Sequence, residues 1–68
     1  MWTLYYVDKM FSLYTYVEFK SLPEANDLRN EIIAECGSFV DVYIMIGSCS
    51  MTLIENFEKA GYKRVEHT

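Results

Sequence analysis

Apolar and polar residues alternate most cleanly over residues 11–20. Phe11, Leu13, Thr15, Val17 and Phe19 fall on one side of an extended chain, and Ser12, Tyr14, Tyr16, Glu18 and Lys20 on the other. A period of two marks a half-buried strand, because successive side chains of a pleated strand point to opposite faces. Residues 2–7 are rich in β-formers and alternate more loosely, with Trp2, Leu4 and Tyr6 on the inner side and Tyr5 and Val7 on the outer. Asp8, Lys9 and Met10 form a short connection, so the two segments read as a hairpin.

The spacing then becomes helical. Leu22, Ala25, Leu28, Ile32, Ile33 and Cys36 recur on one stripe. Ser21 and Glu24 make a capping-box pattern at its start, Pro23 is tolerated in the first turn, and Gly37 is a stop. Residues 39–46 return to strand character. Val40, Val42, Ile44 and Ile46 share one side; Phe39, Asp41, Tyr43 and Met45 share the other. A segment apolar on nearly both sides suits the centre of a sheet. Gly47, Ser48, Cys49 and Ser50 turn the chain into a second helix, capped by Ser50, or by Thr52 with Glu55. Leu53, Ile54, Phe57 and Ala60 form its inner stripe, and Gly61 ends it. Residues 62–66 suit a short edge strand.

The order is therefore β-β-α-β-α(-β), an α+β fold in a single domain over residues 1–68. Hairpin strands are antiparallel and crossover strands parallel, so the sheet of three or four strands is mixed. Each helix has one apolar stripe and needs the sheet to cover it. The simplest arrangement is a two-layer sandwich with both helices on one face and the other face open.

Composition agrees with a folded chain: 51% of the residues are hydrophobic and 16% aromatic, far from a disordered profile. With 68 residues the core is small, and chains of this size often add a disulfide, a metal or a partner subunit. The formal net charge is −4, and the longest basic run is Lys63-Arg64. Nucleic-acid backbones and anionic membrane surfaces both require basic patches, so neither is an expected partner. No apolar run reaches membrane-spanning length, and the N-terminus lacks the basic region of a signal peptide, which places the protein in the cytoplasm.

Candidate chemistry is sparse. His67 is the sole histidine and stands next to the C-terminus, where a solvated tail residue is the ordinary reading. Two cysteines and one histidine do not make a zinc site, and no carboxylates have calcium-loop spacing, so no metal or cofactor is expected. A Cys36–Cys49 disulfide is excluded by the intervening strand, about 26 Å long at roughly 3.3 Å per residue, against the ~7 Å that a disulfide spans. Two free thiols fit a reducing compartment. Gly47, Ser48, Cys49 and Ser50 sit where a strand enters a helix, and helix-start amides favour anions. A serine-capped turn explains the same four residues without a ligand. An enzyme using Cys49 as nucleophile is a further alternative, but no base accompanies it.

The positive signal is aromatic. Tyr5, Tyr14, Tyr16, Phe39, Tyr43 and Met45 all fall on the sheet face that the expected layering leaves uncovered. Tyrosine and methionine are enriched in protein contacts, and a contiguous exposed patch of them marks an interaction site. Cross-strand tyrosines that merely stabilise the sheet are the plainer explanation. Glu18 and Asp41 share this face with only Lys20, so it would repel a phosphate backbone. The expectation is a small acidic, non-enzymatic protein-binding module that engages a protein partner or itself as a homodimer. By size and charge it resembles small regulators and phage-encoded inhibitors. The alternatives are a small-anion or nucleotide binder at the Gly47-to-Ser50 turn, and a cysteine-dependent enzyme.

Overall fold

The computed structural model describes residues 1–65. Strands β1 (Trp2–Asp8) and β2 (Leu13–Phe19) form the hairpin, helix α1 (Leu22–Cys36) follows, and a short 3₁₀ turn (Gly37–Phe39) leads into β3 (Val40–Ile46). Helix α2 (Met51–Lys59) and a two-residue strand β4 (Lys63–Arg64) complete the chain. The α+β class, the β-β-α-β-α-β order and the mixed four-stranded sheet are those expected from the pattern.

The strand order is β3-β1-β2-β4. β1 pairs antiparallel with β2 on one side and with β3 on the other, while β4 pairs parallel with the start of β2. The central strand is therefore β1, and β3 lies at an edge. This corrects the expectation of a central third strand. An apolar strand need not be central when its flanks lie under or beside helices.

Local chemistry explains the turns. The Asp8 carboxylate accepts from the amides of Met10 (2.9 Å) and Phe11 (3.1 Å), which closes the hairpin. Ser12 takes a left-handed φ of 55°, and its carbonyl accepts from the Lys63 amide at 2.9 Å, which ties β4 to the hairpin. Gly47 has a φ of 98°, a conformation glycine adopts without strain, and lets the chain leave β3 for α2. Ser50 caps α2, its side chain accepting from the Leu53 amide at 3.4 Å.

The faces of the sheet divide as the alternation predicts, since Leu4 lies opposite both Val17 and Ile44, and Tyr5 opposite both Tyr16 and Tyr43. The helices take different sides. α1 packs on the Leu4 and Tyr6 face, where Leu28, Ile32 and Cys36 border a cleft of about 400 Å³ with Thr15 and Val17. The Tyr6 hydroxyl lies 3.9 Å from the Cys36 sulfur on this side. α2 packs on the opposite face, where Ile54 joins Tyr5, Val7 and Tyr14 in the buried cluster, with Leu53 and Phe57 against it. The expected placement of both helices on one face is thus corrected: each covers part of its own face.

Two crossovers account for this. The chain runs from β2 over β1 to β3 in one direction, and from β3 back to β4 in the other. Parallel crossovers share one hand, so reversing direction across the sheet moves the helix to the other face.

Candidate functional site

The six candidates of the aromatic face separate into three groups. Tyr5 and Tyr14 are each 1% exposed and belong to the core. Phe57 explains it: its ring centroid lies 5.2 Å from that of Tyr14 and 6.3 Å from that of Tyr5, and Tyr62 packs against it edge-on at 6.4 Å. The polar tips are satisfied inside this packing. The Tyr14 hydroxyl donates to Glu58 Oε1 (3.1 Å), and the Tyr5 hydroxyl accepts from the Ser50 amide (2.9 Å). Burial, first among the causes, raises the pKa of both phenols above the usual 10.0. Tyr5 and Tyr14 are therefore not available to a partner, which corrects their assignment to an open face. Tyr16 is half-buried beneath the Arg64 guanidinium, 4.9 Å above its ring, which also donates to its hydroxyl at 3.3 Å.

Phe39, Tyr43 and Met45 remain at the surface, 56%, 48% and 50% exposed, and Ile46 beyond them is 78% exposed. Tyr43 and Met45 border a groove of about 590 Å³ between β3 and α2, whose other wall is Leu53 and Phe57. α2 covers the β1–β2 part of this face and stops short of β3. The Tyr43 hydroxyl donates to Asp41 Oδ2 at 3.3 Å, and Asp41 pairs with Lys9 at 3.4 Å. Asp41 is the one charged residue of β3, and Lys9 offsets it. Desolvation, then the neighbouring Asp41 carboxylate, raises the Tyr43 pKa.

The backbone of β3 adds a second feature. The Gly47 amide donates to the Met1 carbonyl (2.8 Å) and the Lys9 amide to the Phe39 carbonyl (3.1 Å), which fixes the phase of the β1–β3 ladder. In an antiparallel ladder, bonded and non-bonded pairs alternate. The backbone groups of residues 41, 43 and 45 thus point at β1, and those of Val40, Val42, Ile44 and Ile46 point outward along the edge. No strand covers this edge among the described residues. The opposite edge is different, with β4 paired to its start and Lys63, Arg64 and Lys20 along it. The importance of β3 as an edge was not visible in its sequence, which reads as central; the missing Lys and Pro that usually guard edges are the signal that was there.

At the Gly47, Ser48, Cys49 and Ser50 turn, the protein supplies its own anion. The Cys49 amide donates to Glu18 Oε2 at 3.3 Å, and the Ser50 amide is taken by Tyr5. An incoming phosphate would meet the Glu18 carboxylate. Cys49 is half-buried against the Tyr5 cluster, and it and Cys36 are both free. His67 lies outside the described residues. Among the described residues no group of three metal-ligating side chains comes together, and no helix is long and apolar enough to cross a membrane. The sequence matches no family model, no curated protein and no solved structure.

Proposed function

We propose that this protein is a small, acidic, non-enzymatic binding module of the regulator or inhibitor type, and that it contacts protein through the flank of β3. One observation carries the reading: Tyr43 and Met45 stand exposed on β3, an edge strand with a single charge, beside the apolar groove they share with Leu53 and Phe57, with Phe39 exposed in the turn just before the strand and Ile46 exposed on its other face. Apolar strips of this kind are costly to leave in water and are used as contact surfaces. The groove accepts apolar side chains of a partner, and the free backbone groups of β3 accept an extended segment as an added strand. The two free thiols fit the reducing conditions of a cytoplasm.

The test compares the wild type with a Tyr43→Ser/Met45→Ser double variant as bait. Partners identified by mass spectrometry are purified, and their dissociation constants for both forms are measured. Loss of at least tenfold in affinity, with an unchanged circular dichroism spectrum, is expected. A partner bound equally well by both forms would place the contact elsewhere and overturn the reading.

A further inference from the structure

We infer that the outer edge of β3 pairs antiparallel with β3 of a second copy of this chain, with Tyr43 on the twofold axis, joining two four-stranded sheets into one continuous sheet. The inference deepens the proposed function and rests on its reading of the β3 flank as a contact surface. It names the occupant from the register of the strand itself.

The outward-pointing backbone groups belong to Val40, Val42, Ile44 and Ile46, as the phase of the β1–β3 ladder requires. A twofold axis through Tyr43 brings Val42 opposite the partner's Ile44 and Val40 opposite the partner's Ile46. Every outward group then meets a complementary one, and all seven residues of β3 are used. Side chains also match. Branched aliphatic residues face branched aliphatic residues on the α1 side, a favourable cross-strand pairing. On the α2 side the two Tyr43 rings meet at the axis, and each Asp41 faces the partner's Met45. Moving the axis to Val42 would set Asp41 opposite the partner's Tyr43 and leave Ile46 unpaired, and moving it to Ile44 would leave Val40 unpaired. The axis at Tyr43 keeps the two Asp41 carboxylates far apart.

Charge does not oppose the pairing. Asp41 is the strand's one charge and Lys9 sits beside it at 3.4 Å. The opposite edge of the sheet, with Lys63 and Arg64 on β4, carries like charges that a symmetric pairing would bring together. The twofold axis is perpendicular to the sheet, so the two copies keep their α2 grooves on one face and their α1 helices on the other. A second copy also satisfies the symmetry that most small assemblies obey, one patch serving both chains. A pairing through seven residues of one strand is a small interface of the kind that weak associations use, so it is sought at high protein concentration.

The test uses the purified full chain alone. Sedimentation equilibrium at high micromolar concentration should show a dimer for the wild type and a monomer for Tyr43→Lys, which sets two ammonium groups against each other at the axis. In a Cys36→Ser/Cys49→Ser background, Tyr43→Cys should form a disulfide dimer under mild oxidation. Non-bonded antiparallel pairs have Cα atoms about 4.5 Å apart, within disulfide reach. Asp41→Cys in the same background should not cross-link. A monomeric wild type overturns the inference, as does a Tyr43→Lys dimer. A wild-type dimer in which Asp41→Cys cross-links and Tyr43→Cys does not overturns the register. If the wild type is a monomer while the Tyr43→Ser/Met45→Ser variant still loses its protein partner, self-pairing is wrong and the contact surface stands.

Discussion

Tyr5 and Tyr43 are direct partners across the β1–β3 ladder, on the same face of the same sheet, yet one is 1% exposed and the other 48%. The half of the face over β1 and β2 is sealed by Phe57, Ile54 and Leu53 of α2, and the half over β3 is not. The two halves carry similar residues. Alternation along a strand decides which face a side chain takes, but what lies over that face is decided by an element far away in sequence. The sealed half holds the fold together, and the open half is free for contact.

The comparison breaks most severely at Phe57. Replacing it with alanine removes the ring that packs on Tyr5, Tyr14 and Tyr62, and should cost about 3 kcal/mol. Against a total stability of about 5 kcal/mol for a domain of this size, urea denaturation should show a protein close to unfolding in water. A loss below about 1 kcal/mol would mean that α2 does not seal this half.

Alkaline pH probes the same half through its phenols. Tyr5 and Tyr14 have folded-state pKa values raised above 10.0, chiefly by burial. A group with a raised folded-state pKa holds its proton more tightly when folded. Its contribution is therefore complete below pH 10.0 and is lost as pH rises through the folded-state value. Thermal melts should be insensitive to these two groups up to about pH 9 and fall steeply above pH 10. Tyr14→Phe should lessen the alkaline loss; an identical pH profile for that variant would contradict the burial of its hydroxyl.

Ser50→Ala tests the anchoring of α2 at its start. Loss of the bond to the Leu53 amide should lower stability by about 1 kcal/mol, measured by urea titration. Added phosphate should leave the melting temperature of the wild type unchanged, because Glu18 already occupies the Cys49 amide. A phosphate-dependent rise that Ser50→Ala abolishes would restore the turn as an anion site.

The smallest expected effect is on the open half. Tyr43→Ser should change the stability of the monomer by no more than about 0.5 kcal/mol, measured at dilutions where self-pairing is absent. A loss comparable to that of Phe57→Ala would show that Tyr43 is structural, and the distinction between the halves would fall.

Much of this could be read from residues alone. The clean alternation over residues 11–20 placed Tyr14 and Tyr16 on one face and Thr15 and Val17 on the other, and the register agrees for these residues, while β2 begins only at Leu13 and the expected inward residue Phe11 lies exposed in the hairpin turn. Ser50 was legible as a cap because a hydroxyl before an apolar helical stripe has a local role. The free cysteines followed from the length of the strand between them. Tyr43, Met45 and Phe39 were found as candidates for the surface, while Tyr5 and Tyr14 were assigned to it through the wrong placement of α2.

What the amino-acid order determined by itself was local: which segments are strands and helices, where they start and stop, and which side chains share a face. These depend on spacing, capping and turn chemistry within a few residues. The tertiary structure alone decided that β1 is central, that β3 is an edge, and that α2 crosses to the face opposite α1. Strand order rests on pairings between residues such as Tyr5 and Tyr43, far apart in the chain, for which no local pattern exists. Once that order is set, the common hand of parallel crossovers puts the two helices on opposite faces, because the chain reverses its direction across the sheet between them.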